Sequence, residues 1–344
     1  MSIFKPIATL AAAAALVAPL ALSGPAAAQA YKEEYRVSTV LPVPFPWGVA
    51  AQRWADLVAE RTDGRINMQL YPGAQLVQGE QTREFTALRR GIIDMAVGST
   101  INWSPQIPQL NIFALPFLMP DYAALDALTQ GPVGERLFEI IEENGVVPLG
   151  WAENGFREVT NSVRPIRTPA DMEGLKLRVV GSPIFNDVMT ALGANPTQMS
   201  WADAQPALTT GAVDGQENPL TIYYNLKMHE LGQTYITQWG YVADPLIFAV
   251  NREVWESFTE EDREIVRQAA IDAGAHGIEV ARKGLTEDDQ SLVQEIEGFG
   301  ATVVRLTDEG RAAFVEATRP VYEAWRERIG GDLVDLAEDS IANR

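Results

Sequence analysis

The side chains that could do chemistry in this sequence are carboxylates, hydroxyls, arginines and aromatic rings. Cysteine is absent and histidine occurs only at His229 and His276. These counts exclude thiol catalysis, disulfides, cysteine-based zinc sites and three-histidine zinc sites. A serine hydrolase triad would need one of the two histidines, and no G-x-S-x-G turn presents a serine. A glycosidase-type carboxylate pair stays open, because the 46 acidic residues allow many pairings.

One arginine, Arg178, has a chemistry that suits the binding of an organic anion. Its planar guanidinium offers two parallel N–H donors to a carboxylate, whereas a lysine would supply a point charge. The segment 175–180, LKLRVV, alternates and predicts a strand with Lys176 and Arg178 on the same face. From the strand alone, a solvated side chain or a salt bridge to an acid is the favoured interpretation. Asn218, directly before Pro219, is by itself typical of a turn.

Alternating strand and helix patterns around these residues predict an α/β fold, and the length of 344 residues favours two domains. A second series of elements begins near Trp151, and the segment 221–247 shows no clear pattern. The first series has strands at 35–41, 66–70 and 92–97 and helices at 47–61 and 80–90; the second has helices at 168–171 and 200–210 around the strand 175–180.

A helix cap at Thr259-Glu-Glu-Asp262 begins a pattern that continues to about Glu297. As one helix, 260–297 would reach roughly 57 Å, enough to link two lobes. The alternative is two ordinary helices, broken near Gly274, Gly277 or Gly284, because each glycine costs about 1 kcal/mol relative to alanine.

The first 30 residues have the pattern of a secretory signal peptide. Lys5 precedes an apolar run over 7–22, and Ala28-Gln29-Ala30 has the small-x-small form of a cleavage site. The run is short for a bilayer span, so a retained membrane anchor is the weaker interpretation. We expect cleavage after about Ala30 and a soluble, exported protein. The formal charge of −19 opposes binding to nucleic acid or to anionic lipid.

Three blocks of the sequence carry a family resemblance: GLKLRVV at 174–180, GANPTQMSW at 193–201 and ALTTGAVDGQENP at 207–219. They resemble the signature of the periplasmic solute-binding subunit of tripartite ATP-independent periplasmic (TRAP) transporters, of the C4-dicarboxylate-binding type. Shorter pieces extend the likeness over essentially all of the chain after residue 30: YPGAQL at 71–76, FALPF at 113–117 and NGFR at 154–157.

The resemblance implies a periplasmic receptor with two α/β lobes that close over one organic anion and deliver it to a membrane permease. It implies no catalysis, no metal and no cofactor, and we expect a monomer. The first lobe is predicted over 31–155 and about 243–283, and the second over 156–242 and about 284–344. The crossing segments and the 260–297 helix would link them.

Matched by position, the resemblance also assigns ligand-binding residues in the second lobe. Arg178 matches the arginine that pairs with the ligand carboxylate, and Asn218 matches an asparagine that donates to the same group. Arg157 matches a second arginine near the ligand, although it could equally pair locally. Trp201 matches an aromatic residue that packs against the ligand body, with a core position as the alternative.

In the first lobe, ligand contacts are expected at the carboxyl ends of the strands. The candidates are Ser99, Asn102 and Trp103, which follow the strand 92–97, and Phe45 and Trp47, which lie in the loop after the first strand. For Phe45 and Trp47, a position on the surface or in the core is as well supported as a position in the cleft.

The identity of the anion is less determined than its class. Sialic-acid-binding relatives carry charged residues where this chain has Gln78, Ser99 and Asn102, which disfavours a nine-carbon sugar acid. Ectoine-binding relatives carry an acid near the end of the first strand, where this chain has 40–42, VLP. We therefore expect a small monocarboxylate or dicarboxylate, with an aromatic acid, another sugar acid or a sulfonate as alternatives. A secreted carboxylate-dependent hydrolase is the distant alternative.

Overall fold

Two β-sheets form the framework of the protein in the computed structural model, which describes residues 1–3 and 31–344. The predicted signal peptide therefore lies, apart from its first three residues, outside the described residues. The strands are β1 Tyr35–Ser38, β2 Met68–Tyr71, β3 Met95–Ser99, β4 Val146–Phe156, β5 Glu158–Asn161, β6 Lys176–Val179, β7 Asn195–Gln198, β8 Gly215–Asn218, β9 Tyr235–Gln238, β10 Ala243–Asn251 and β11 Thr302–Arg305.

The first sheet has the order β2-β1-β3-β10-β4, and the second has the order β11-β9-β5-β8-β6-β7. In the first sheet β1 runs parallel to β2 and β3, while β10 runs antiparallel to β3 and β4. In the second, β6 is parallel to β7 and β8, and β5 is antiparallel to β8 and β9. These sheets and the helices around them confirm the predicted α/β class.

Helices cover both sheets. Several start where the sequence places a proline or an N-cap residue, as the capping rules predict. The helices are α1 Pro46–Arg61, α2 Glu84–Arg89, α3 Thr100–Trp103, α4 Tyr122–Thr129, α5 Pro132–Glu143, α6 Pro183–Ala191, α7 Trp201–Thr210, α8 Leu220–Asn225, α9 Arg252–Ser257, α10 Glu260–Arg282, α11 Ser291–Gly298, α12 Asp308–Ile329 and α13 Gly331–Ala342. Short 3₁₀ turns lie at Gln75–Val77, Gln81–Arg83, Pro108–Ala114, Pro169–Met172 and Met228–Leu231.

Within residues 31–344 the chain crosses between the sheets three times: one crossing, from β10 to β11, runs through residues 252–301, and the other two are adjacent. Arg157 is the residue between β4 and β5, and residues 239–242 connect β9 to β10. The two crossings bond to each other: the Arg157 amide donates to the Val242 carbonyl at 3.0 Å, and Nε1 of Trp239 donates to the Arg157 carbonyl at 3.0 Å.

A single helix over 260–297 does not form. Helix α10 ends at Arg282, and Gly284 follows with φ +73°, where a Cβ would lie 2.6 Å from the Leu292 nitrogen. Gly274 and Gly277 lie inside the helix. A Cβ at Gly274 would lie 2.1 Å from the Trp151 carbonyl oxygen, and a Cβ at Gly277 would lie 2.7 Å from Cβ of Ala50, so both positions require glycine. These glycines let α10 pack closely on β4 and α1, so the alternative of a break near Gly284 is the correct one.

The core covers both sheets: one buried cluster joins Ala96 of β3 to Leu177 and Val179 of β6, and another includes Ile236 of β9. Every residue of β3 and β10 is buried, in line with the nearly continuous apolar run of β3. In residues 1–3 and 31–344, no helix is long and apolar enough to cross a membrane.

Candidate ligand-binding site

A small cavity, of about 20 Å³, lies between the two sheets. Apart from Trp201, which is half-buried, every residue that lines it is buried, so the protein is closed around this space. The first sheet and its connections contribute Val40, Leu41, Trp47, Gln81, Ser99, Asn102, Asn154 and Asp244, and the crossing and the second sheet contribute Arg157, Arg178, Val180, Trp201, Asn218 and Ile222.

Arg178 brings a positive charge to the cavity without a carboxylate partner. It lies on β6 with 1% of its surface exposed, and Nε and Nη2 donate to the Met199 carbonyl at 3.2 and 3.0 Å. Its Cζ lies 5.6 Å from the centroid of the Trp201 ring. Burial lowers the pKa of Arg178 to about 10, partly opposed by Glu217. Arg178 therefore stays charged at neutral pH, and within residues 31–344 it forms no ion pair.

Arg157 lines the same cavity but is paired with acids. Its Nε and Nη2 donate to the Glu217 carboxylate, Nη2 also donates to the Glu217 carbonyl at 2.8 Å, and Nη1 donates to Oδ2 of Asp244 at 3.3 Å. Burial alone would lower the pKa of Arg157, but the two carboxylates raise it above its usual value. Arg157 thus lies beside the cavity, as the resemblance implies, and its ion-pair partners are two acids distant in sequence and not its chain neighbours.

An amide network joins the two sides of the cavity. Gln81 donates from Nε2 to Oδ1 of Asn102 at 2.7 Å, and its Oε1 accepts from the backbone N–H of Trp201 at 2.8 Å. Gln81 and Asn102 belong to connections of the first sheet, whereas Trp201 begins α7, which follows β7 of the second. Asn218 donates to Oε1 of Gln216 on the same strand.

The carboxylate of Asp244 is fully engaged on the first side of the cavity. Oδ1 accepts from the Ser99 hydroxyl at 2.5 Å, and Oδ2 accepts from Nδ2 of Asn154 at 2.8 Å as well as from Arg157. Burial raises the pKa of Asp244, and Arg157 and these donors oppose that shift. Oδ1 of Asn154 is buried without a hydrogen-bond partner. An unsatisfied buried acceptor costs about 1–3 kcal/mol.

The structure brings most of the sequence candidates together. Two do not line the cavity: Phe45 is buried in the core beside α1, and Trp103 packs on Phe85 while its Nε1 donates to Glu84 at 3.1 Å. A core role, left open for Phe45, is the one observed, and Trp103 is placed in the core instead of the cleft. Those in the lining are Trp47, Ser99, Asn102, Arg157, Arg178, Trp201 and Asn218.

Sequence reasoning missed three polar residues of the lining, namely Gln81, Asn154 and Asp244. Asn154 stood in the recognised NGFR segment, so its position was a usable signal. Asp244 lies in the stretch 221–247, where no periodic pattern was visible. Gln81 carried no signal, because its importance comes from partners 21 and 120 positions away along the chain.

A family model described as bacterial extracellular solute-binding protein, family 7, matches residues 37–328. The chain belongs to this family. The family 7 protein is 60% identical to a TRAP periplasmic solute-binding protein of Ralstonia eutropha H16, whose crystal structure holds (S)-2-acetolactate; the TM-score is 0.91, over 91% of this chain and 100% of that one.

Two further relatives are similar to this chain over most of its length. The chain is 31% identical to the C4-dicarboxylate-binding periplasmic protein DctP of Rhodobacter capsulatus, over 94% of this chain and 95% of that protein. It is 27% identical to a TRAP periplasmic solute-binding protein of Sulfurospirillum deleyianum bound to succinate, with a TM-score of 0.81, over 89% of this chain and 98% of that one. The family 7 protein is thus a two-lobed TRAP solute-binding protein and not an enzyme, which excludes the hydrolase alternative.

Proposed function

We propose that this protein is the receptor for a small organic monocarboxylate, which it holds between its lobes through Arg178 and Asn218. The observation that carries the proposal is the buried guanidinium of Arg178, which faces a closed cavity with no carboxylate partner in the described chain. A ligand carboxylate supplies the missing negative charge and accepts two parallel N–H bonds. Asn218 contributes a further donor to the same group.

The fixed charges around the cavity favour one carboxylate over two. Arg157 is already paired with two carboxylates, Glu217 and Asp244, so Arg178 is the cation left for a ligand among the lining residues. A second carboxylate would lie in a low-dielectric space near Asp244 without a cation of its own, which is costly. The dicarboxylate expected as the family default is therefore less suited to this cavity than a monocarboxylate.

The size of the cavity and the ligands of two relatives also favour a small monocarboxylate. The closed cavity is small, about 20 Å³, which favours a compact ligand. The relative at 60% identity holds acetolactate, a branched monocarboxylate, whereas the succinate-bound relative shares 27% of its residues with this chain. These observations favour a compact acid over an aromatic acid or a large sugar acid.

Ligand-driven closure provides the mechanism. The ligand contacts Arg178 and Asn218 on one side and the Ser99–Asn102 region on the other only when the lobes are shut, so its higher affinity for the closed form shifts the balance towards closure. In this proposal the chain is exported after cleavage near Ala30, acts as a monomer in the periplasm, and presents the closed lobes to a TRAP permease.

The proposal is tested by calorimetry on residues 31–344, unfolded and refolded beforehand to remove copurified ligand. Pyruvate, lactate, acetolactate, succinate, malate, glucuronate and benzoate form the panel. We expect compact monocarboxylates to bind at least about tenfold more tightly than succinate or malate. Tighter binding of a dicarboxylate would overturn the monocarboxylate assignment, and no binding of any organic acid would overturn the receptor proposal. Uptake by proteoliposomes that contain the cognate permease tests delivery.

A further inference from the structure

We propose that the carboxamide oxygen of Asn154 accepts a hydrogen bond from a hydroxyl of the ligand, so that the receptor selects hydroxylated monocarboxylates. This inference rests on the proposed function and adds the chemical group that the ligand must carry besides its carboxylate.

The orientation of the Asn154 amide is fixed by its neighbour. Nδ2 donates to the Asp244 carboxylate at 2.8 Å, and a flipped amide would place its oxygen against that carboxylate. Oδ1 is therefore the free end of a side chain with 1% of its surface exposed, and it has no partner in the described chain.

The other polar groups on this side of the cavity are already engaged. The Ser99 hydroxyl donates its proton to Asp244, and its oxygen accepts from the backbone N–H groups of Ile101 and Asn102. Asp244 accepts from Ser99, Asn154 and Arg157. Among the buried side-chain atoms of the lining, Oδ1 of Asn154 is thus the acceptor that lacks a donor.

A ligand carboxylate cannot fill this role, because an ionised carboxylate only accepts hydrogen bonds. A keto oxygen also only accepts. A hydroxyl group can donate, so a hydroxy acid satisfies both Arg178 and Asn154, while its deoxy and oxo analogues leave the Asn154 oxygen unpaired. Sites that pair a buried group with a substrate hydroxyl discriminate strongly against analogues that lack it.

The test compares 2-hydroxyisobutyrate, 3-hydroxyisobutyrate and isobutyrate, which share a carbon skeleton, by calorimetry on residues 31–344. We expect the better of the two hydroxy acids to bind at least about tenfold more tightly than isobutyrate. In Asn154→Ala this ratio should fall to about one. Asn144→Ala is the control, because Asn144 lies outside the cavity lining, at the end of α5, where its amide donates to the Ile140 carbonyl at 2.8 Å, and it should keep the wild-type ratio.

Equal binding of isobutyrate and both hydroxy acids by the wild type would overturn the hydroxyl inference while leaving the monocarboxylate receptor intact, and it would indicate that water satisfies Asn154. An unchanged ratio in Asn154→Ala would also overturn it. If no carboxylate binds at all, the proposed function fails instead. The wild-type ratio tests the selectivity for a hydroxyl group whether or not either variant folds.

Discussion

Oε1 of Gln81 accepts a hydrogen bond from the backbone N–H of Trp201 at 2.8 Å, a contact that joins the turn after β2 to the first residue of α7. The opposite end of the same amide donates to Asn102 at 2.7 Å. Gln81 is thus anchored to its own side of the cavity by one end of its buried amide, and with the other end it holds the N-terminus of α7 towards the first sheet.

Removing this connection should weaken ligand binding. Gln81→Ala deletes the hydrogen bond to Trp201 that joins the two sides in the closed form, which contributes about 1 kcal/mol, whereas the bond to Asn102 lies within one side. Closure then costs more of the binding energy, so we expect the affinity for a monocarboxylate to fall by about fivefold, measured by calorimetry. Gln75→Ala, at an exposed position in a neighbouring turn, should bind as the wild type does. An undiminished affinity in Gln81→Ala would show that this amide does not stabilise closure.

Arg178→Ala should abolish the main ligand contact. We expect a loss of roughly 2–5 kcal/mol in binding free energy, because the ligand carboxylate would be buried without a charged partner. Arg178→Lys should have an affinity between those of the wild type and Arg178→Ala, since it keeps the charge and loses the two parallel donors. Lys176→Ala is the control: Lys176 lies on the same strand but is exposed. Calorimetry that gives near-native affinity for Arg178→Ala would refute the role of this arginine.

Local patterns predicted most of the fold around the site. Trp47 to Arg61 showed helical spacing and forms α1, and the strand expected at 175–180 is β6. β10 was missed because all its residues are buried, so it lacks the alternation that marks a half-exposed strand. The break between α10 and α11 could not be chosen from sequence, since three glycines were available and close packing on β4 and α1 retains two of them in the helix.

The site was predictable to the extent that it depends on residue type and family likeness. Arg178 and Asn218 were found in this way. The partners of Arg157 were not, because Glu217 and Asp244 lie 60 and 87 positions away and meet it only where the chain crosses between the sheets. For the same reason the free oxygen of Asn154 depends on the fold: its partner Asp244 comes from β10, 90 positions along the chain.

The two cavity arginines should differ in their effect on the stability of the ligand-free protein. Arg157→Met leaves the carboxylates of Glu217 and Asp244 buried without their cation, and should lower the free energy of unfolding by about 3–5 kcal/mol. Arg178→Met removes a buried cation that forms no ion pair in the described residues, and it costs chiefly the bonds to the Met199 carbonyl. Its free energy of unfolding should fall by no more than about 1 kcal/mol, or rise.

Urea unfolding without ligand measures both values, and addition of a monocarboxylate provides the functional readout. The ligand should stabilise the wild type and leave Arg178→Met unchanged. Equal destabilisation by the two substitutions would contradict the view that Arg157 has a structural ion pair and Arg178 does not.

Glu84 gives the protein a defined dependence of stability on pH. Its buried carboxylate accepts from the Ser38 hydroxyl at 2.6 Å and from Nε1 of Trp103 at 3.1 Å, and burial raises its pKa from 4.5 to about 7. At pH values between 4.5 and about 7, Glu84 therefore holds a proton in the folded protein but not in the unfolded chain. The contribution of Glu84 to the free energy of unfolding therefore decreases as pH rises from about 4.5 to about 7, and is constant above.

Glu84→Gln removes this titration, so the difference in free energy of unfolding between wild type and variant isolates it from other groups. Between pH 8 and pH 5.5 the wild type should gain about 2 kcal/mol relative to Glu84→Gln in urea unfolding. Glu327→Gln, at an exposed position on α12, should track the wild type across this range. If Glu84→Gln and the wild type change in parallel from pH 8 to 5.5, the buried carboxylate does not take up a proton in this range and its pKa is not raised.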